Sequence, residues 1–220
     1  LIKDSSLIDA AAVSVKRVII GVVVTLIMQF STAYALTKKF RGKAIIIAVY
    51  MIPMFINAGQ IPTYVLFSKL GLLNNFWIYI LPSLFSFYNV VIIRTFLQTT
   101  IPISLEESAI IDGAGELTIL TKIILPLSKP ILATIALWTM VYHWNDYTTT
   151  LVYVRKPSLY TLQYKMMELV KESERLQGII AAARESGEAV DESILNQTPT
   201  SEGITAAQII LTTVPIICVY

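Results

Sequence analysis

The side chains that could make or break bonds are few in this sequence. His143 is the only histidine and Cys218 the only cysteine in 220 residues. One of each supports neither a cluster of metal ligands nor a disulfide framework, and His143 has no nucleophile beside it to activate. A glycine-rich loop closing on Lys-Ser or Lys-Thr, which would cradle a nucleotide's phosphates, is absent. The carboxylates are unevenly placed. After Asp9 none occurs until Glu106, while Lys16, Arg17, Lys38, Lys39, Arg41, Lys43, Lys69 and Arg94 lie between. Where acid returns, Ser104-Leu105-Glu106-Glu107 has the spacing of a capping box, with Ser104 at the N-cap and Glu107 three residues on, each satisfying a free backbone donor. The chemistry this pattern supports is that of a charged contact surface, not of catalysis.

The acid-free stretch needs a setting that excludes carboxylates. The chain is 55% apolar and 15% charged, with a mean hydropathy of +0.67, whereas soluble domains are about 25% charged. Its richness in Ile, Leu, Val and aromatics excludes disorder, and a net charge of +2 is too small to argue for nucleic acid. A bilayer core of about 30 Å takes roughly 20 mostly apolar helical residues. Val18 to Leu36 supplies one such run. Ala44 to Phe67 is a second, its outer half made irregular by Pro53, Asn57, Gly59, Gln60 and Pro62. Phe76 to Gln98 is a third, with Arg94 near one end where its stem can reach the lipid interface. Pro130 to Tyr147 is a fourth, and 204–220 begins a fifth. Pro53 and Pro82 read as kinks. The predicted fold is an all-α polytopic membrane protein. Leu1 is no initiator and no signal peptide precedes the first run, so the sequence reads as a piece cut at both ends, with 1–17 an outer segment after a missing first span.

Sidedness follows from the short loops. Residues 37–43 carry Lys38, Lys39, Arg41 and Lys43, against the single Lys69 after the second run, which places 37–43 in the cytoplasm. Alternation puts 57–75 outside, 99–129 inside and 148–203 outside. The transmembrane core is then 18–147, followed by an extracytoplasmic loop 148–203 and the start of a last helix at 204–220. The outer loop is predicted to hold a helix from Leu159 to Arg184 and a Gly-, Glu- and Ser-rich stretch from Glu185 to Ser201. Loop 99–129 reads as helix–turn–helix along the membrane face: a helix from Leu105 to Ile111, a stop at Asp112-Gly113, and a helix from Glu116 to Ile124 ending at Leu125-Pro126. Ser108 and Ala109 are small enough to let another protein come close. Glu106 and Glu116 are expected to face solvent.

This loop resembles a known family. Glu107-Ser108-Ala109, Gly113 and Ile123-x-Leu125-Pro126 match the EAA loop of bacterial ATP-binding-cassette (ABC) importer permeases, with Ser108 in place of the usual alanine. Ile111-Asp112-Gly113-Ala114, the run from Leu125 to Pro130 and His143-Trp144-Asn145 look like the carbohydrate branch. Gln60-Ile61-Pro62-Thr63-Tyr64 and Leu70-Gly71-Leu72 look like permeases for complex or oligomeric sugars, related to the maltose-type inner subunit. The resemblance covers residues 18–165 and implies a type I importer transmembrane subunit of six helices, about five of them visible here, in the bacterial cytoplasmic membrane. It implies a transport subunit that binds no cofactor itself, with ATP and Mg held by a partner ATPase. The partners it implies are a second permease in a heterodimer, two cytoplasmic ATPase subunits, an extracytoplasmic solute-binding protein, the lipid bilayer and a carbohydrate substrate. Glu107, Ser108, Ala109, Asp112, Gly113, Ala114, Leu125 and Pro126 would then form the surface that docks in the ATPase cleft, Glu107 pairing with a basic group there.

A sugar path needs aromatic faces for stacking and amides for hydroxyls. The candidates are Asn57, Gln60 and Tyr64 in the broken second run, Tyr88 and Asn89 in the third, and His143, Trp144 and Asn145 at the outer end of the fourth. Polar groups and irregular backbone at membrane depth must be buried or line a cavity. Anchoring of Trp144 and Tyr147 at the interface is the alternative reading, and in maltose-type transporters the sugar site sits mostly on the other permease. Loop 148–203 is expected to reach toward the binding protein. An ion-coupled secondary transporter would need charged groups within spans, where Asp146 stands alone at a rim. A polytopic enzyme would need clustered His, Asp or Cys. An ABC permease for a different solute class is the nearer alternative.

Overall fold

The structure, a computed structural model, describes residues 5–56, 58–186 and 201–219, and the regular elements among them are all helical. Helix α1 runs over Ser5–Ala35, 31 residues. The span predicted to begin at Val18 therefore starts inside a longer helix, because neither Gly nor Pro occurs between Ser5 and Ile20 to break it. Helix α1 is by itself long and apolar enough to cross a bilayer.

The second run is broken as expected. Helix α2 (Lys43–Phe55) carries Pro53 in its last turn and gives way to extended backbone at Ile56. Gly59, at φ 83°, precedes α3 (Gln60–Lys69); that conformation suits a residue without a Cβ. Pro62 falls in the first turn of α3, where a missing N–H costs no intrahelical bond. The third run departs from expectation. Phe76–Tyr79 and Leu81–Ser83 are 3₁₀ turns, and α-helix begins only with α4 (Phe87–Thr100), at 51° to them. Pro82 lacks a donor, and the Ser83 hydroxyl bonds back to the carbonyls of Ile80 and Tyr79 at 3.0 and 3.3 Å, which favours the tighter turn. Helix α5 (Ile103–Ile111), α6 (Glu116–Leu127) and α7 (Lys129–Asn145) follow, with α6 and α7 at 75°.

The described residues divide into two compact units. The first lies within Arg17–Leu72 and Phe76–Met140. Its core joins Phe30, Ala33, Tyr34 and Leu36 of α1 to Phe87, Val90, Ile93 and Leu97 of α4, and also takes in Ala109, Ile119, Ile124 and Ile135. Tyr50 of α2 packs on Phe85 and Phe87, ring centroids 4.5 and 6.4 Å away. One face of α1 is buried yet polar. Arg17 lies over the Tyr79 ring at 4.6 Å, and Gln29 Nε2 donates to the Leu84 carbonyl at 3.3 Å.

The second unit holds α8 (Thr148–Tyr153), α9 (Leu162–Ser186) and α10 (Ser201–Val219), with α9 packed on α10. The helix predicted over Leu159 to Arg184 is thus present as α9. Its start is fixed from two sides: the Leu162 N–H donates to Ser14 Oγ at 2.9 Å, and the Thr150 and Thr161 hydroxyls pair at 3.0 Å. Asn74 accepts from the Arg155 N–H at 2.6 Å and donates its own N–H to the Tyr153 carbonyl. Most of the stretch predicted as Gly-, Glu- and Ser-rich, 187–200, lies outside the described residues.

Candidate functional site

Proline placement builds the helical loop. Pro102 disfavours helix at the residue before it, so α4 stops at Thr100 and Ile101 is extended. Pro102 itself sits at φ −62° and ψ 134°, and α5 begins directly after it at Ile103 without a side-chain cap. The capping box predicted for Ser104 and Glu107 is therefore not formed. Ser104 is already inside the first turn, where its backbone is helical and it cannot cap. Glu107 is left exposed.

The stop at Asp112-Gly113 is a Schellman closure. The Gly113 N–H bonds to the Ile110 carbonyl at 3.0 Å, and the Ala114 N–H to Ala109 at 2.9 Å. Gly113 has φ 81°, and a Cβ there would meet no atom within 4 Å. Conformation, not room, demands glycine. Helix α6 then departs from the expected uniform helix: Leu120–Ile124 form a π turn in which the Leu125 N–H reaches back to the Leu120 carbonyl. Pro126 follows at once. It has no N–H and crowds the carbonyl four residues before it, so a widened turn relieves the ladder. Ser128, fully buried, ends the arm by donating its hydroxyl to the Ile124 carbonyl at 2.7 Å.

The loop has two faces. Ala109, Ile119 and Ile124 are buried in the core of the first unit, and Ala114 packs against it. Ala109 is small for the sake of this chain's own close packing, which corrects its expected role of admitting a partner. Glu107, Ser108, Asp112, Gly113, Leu125 and Pro126 are exposed. They share that outer surface with Ile111, 85% exposed, and Leu117, 76% exposed.

The inner edge carries charge. Lys38 Nζ lies 2.7 Å from Glu106 Oε2 and 3.3 Å from Glu116 Oε2. The Tyr34 hydroxyl donates to the same Glu116 oxygen at 2.8 Å. Glu106 therefore does not simply face solvent as expected, and Glu116, though largely exposed, is paired. The loop lies outside the spanning helices. Burial alone would lower the Lys38 pKa, but hydrogen bonds with Glu106 and Tyr34 outweigh it and raise the value. The Tyr34 hydrogen bond, against burial and with help from Lys38, lowers that of Glu116. Arg94, expected at the lipid interface, is half-buried and donates Nε to the Leu36 carbonyl at 3.0 Å. A cavity of about 670 Å³ lies beside these groups, lined in part by Tyr34, Lys38, Gln98, Pro102, Glu106 and Glu116. A signal for the Lys38 cluster was available: the basic turn 37–43 and the carboxylates at 106 and 116 fall on one side of the predicted membrane.

The sugar-path candidates divide between the units. In the first, Gln60 and Tyr88 are exposed, and Tyr64 and Asn89 half-buried, with the Asn89 N–H donated to Ser86 Oγ at the start of α4. In the second, His143 and Trp144 are buried and Asn145 is exposed. Trp144 is thus enclosed by its own chain, which disfavours the lipid-anchor reading for it. Asn57 lies outside the described residues. Asp146 accepts from the N–H and hydroxyl of Thr149, holding the first turn of α8. Among the described residues no group of three or more His, Cys, Asp or Glu could hold a metal ion.

Residues 21–220 match the family model described as the inner membrane component of binding-protein-dependent transport systems. Protein LplC of Bacillus subtilis (strain 168) is 34% identical over 209 residues, covering 94% of this chain and 67% of that protein. The polygalacturonan/rhamnogalacturonan transport system permease protein YtcP of the same strain is also 34% identical over 209 residues, covering 94% of this chain and 69% of its own length. Among solved structures, a chain of a bacterial ABC transporter involved in the import of the acidic polysaccharide alginate superposes with a TM-score of 0.83 at 29% identity, covering 100% of this chain and 74% of that one.

Proposed function

Because the chain belongs to the family of inner membrane components of binding-protein-dependent transport systems, we propose that it is the transmembrane permease subunit of an ABC importer. It moves an oligosaccharide or other complex carbohydrate across the cytoplasmic membrane by ATP-driven alternating access. The relatives named for polysaccharide transport support the solute class. The observation that carries the mechanism is the two-faced loop α5–α6. Its inner residues are locked into the core shared by α1, α4 and α7, while Glu107, Ile111 and Leu117 stand outward with the shape and chemistry of a docking knob.

In this reading the outer face sits in a cleft on a cytoplasmic ATPase. Two such subunits bind ATP and Mg, and this chain performs no hydrolysis. A second permease and an extracytoplasmic solute-binding protein complete the importer, and 148–203 extends toward the binding protein. The test is co-purification with the ATPase together with uptake in proteoliposomes. Glu107→Ala should weaken both, and unchanged association and uptake would overturn the reading. The broken path residues Gln60, Tyr64, Tyr88, Asn89, His143, Trp144 and Asn145 are tested separately, by the effect of their alanine variants on the KM for the carbohydrate.

A further inference from the structure

We infer that Lys38, in the turn between α1 and α2, is the residue through which the helical loop drives α1, a positioning residue for transport that joins the turn and both loop helices into one moving body. The inference rests on the coupling reading of the loop given above. Lys38 reaches Glu106 of α5 and Glu116 of α6 from a single ammonium, at 2.7 and 3.3 Å. It also lies 4.6 Å from the centroid of the Tyr34 ring, whose hydroxyl holds Glu116 in turn. The last turn of α1 and the residues just after it thus grip each loop helix separately. A three-donor cation can serve carboxylates from two helices at once.

Two observations distinguish this cluster from an ordinary surface ion pair. The first is shielding. The Lys38 and Glu106 side chains are only 29% and 20% exposed, so the pair keeps more of its strength than a solvated one. The second is the cavity of about 670 Å³ between the end of α1, the end of α4 and α5. The charged pin spans the edge of that space beside the packed core and sets the register in which α5 and α6 meet α1 there. Apolar contacts such as Ala109 against the core hold the helices together, and the ion pairs add a directional tie at their edge. Below the pin, Arg94 holds the Leu36 carbonyl, so the segment that receives the force is itself clamped.

The experiment uses the complete importer in proteoliposomes and reads carbohydrate moved per ATP hydrolysed, with co-purified ATPase as the measure of assembly. Lys38→Met should lower the ratio about tenfold, within the range of residues that carry coupling, with the ATPase still bound. Lys38→Arg should retain most of the ratio, and Lys38→Glu combined with Glu106→Lys should recover much of what Lys38→Glu alone loses. A Lys38→Met ratio within about twofold of wild type would overturn the proposal, since residues in a coupling network usually show more. If Lys38→Met does not assemble, Lys38→Cys and Glu106→Cys in a Cys218→Ser background, joined by a short bismaleimide, keep the question open to test. One moving body predicts that cross-linked importer still transports, and loss of transport on cross-linking would refute it. Glu107→Arg separates the two ideas. If it releases the ATPase while Lys38→Met changes nothing, the pin is wrong and the coupling reading stands. If it leaves association and transport intact, the coupling reading falls and the pin with it.

Discussion

Arg94 and Leu36, 58 positions apart, are joined by a 3.0 Å hydrogen bond from the guanidinium Nε to the main-chain carbonyl. The carbonyls at the end of α1 have no partner within the helix, and a cation beside them is favoured by the helix dipole. Helix α4 therefore closes α1 with one of its own side chains, and the two helices that carry most of the core are fastened at the same end as the loop.

Arg94→Met should destabilise the folded chain by about 1 kcal/mol, the usual worth of such a bond. Arg94→Lys should recover part of it through charge alone. Thermal unfolding in detergent, comparing the three forms, measures both.

Tyr34→Phe and Glu116→Ala remove the two ends of one hydrogen bond. Each should cost about 1 kcal/mol or less, and the double variant should cost clearly less than the sum because the residues share a partner in Lys38. A double-mutant cycle by denaturant unfolding gives the coupling energy. Strict additivity would mean that the three groups do not form a network.

Gly113→Ala should cost about 1–2 kcal/mol from its left-handed backbone alone, because a Cβ there meets no atom within 4 Å. Gly113→Asn should cost less, since asparagine tolerates that region. Equal losses for both would point to a steric cause and contradict the open space.

The Lys38 cluster also has a pH window. The folded-state pKa of Glu116 is lowered from its ordinary value of 4.5, so its contribution is present above that pH and fades as pH falls through the folded value. The folded-state pKa of Lys38 is raised from 10.5, so its contribution is present below that pH and is lost only as pH rises through the higher folded value. Hydrogen-exchange protection of residues 103–119, taken relative to the intrinsic rate at each pH, should stay level between these limits and fall on the acid side. Glu116→Gln should remove the acid-side part of the response.

On the outer face, Ile111→Asp should leave stability within about 0.5 kcal/mol of wild type, because the side chain is 85% exposed and packs on nothing that burial would defend. ATPase co-purification should nevertheless fall. An unchanged association would remove Ile111 from the docking surface.

The sequence carried the helical class, the break around Gly59 and the turn at Gly113, because each depends on local physics: apolar run length, proline, and a backbone angle that favours glycine. It also carried which loop residues lie outside, apart from Glu106, which pairs with Lys38, and Ala109 and Ala114, whose small size reads the same whether a partner or the chain's own core comes close. What it did not carry depends on contacts across the fold. Ser104 and Glu107 have ideal capping spacing, yet Pro102 starts the helix two residues too early for it. Arg94 near the end of an apolar run has the pattern of a snorkelling residue, and only the nearness of Leu36 shows that it also holds a main-chain carbonyl. Glu106 and Glu116 are polar residues in a polar loop, and nothing local shows that one lysine 68 positions before Glu106 holds both.

The π turn at Leu120–Ile124 bears on which way the end of α6 faces. Each residue of an α-helix advances the azimuth by about 100°, so the surplus residue rotates everything after it by that amount relative to an unbroken α-helix. Pro126, which has no N–H and crowds the carbonyl four residues before it, holds that surplus at Leu120–Ile124. The offset therefore sets the azimuth at which Leu125 and Pro126 stand on the exposed side of the loop.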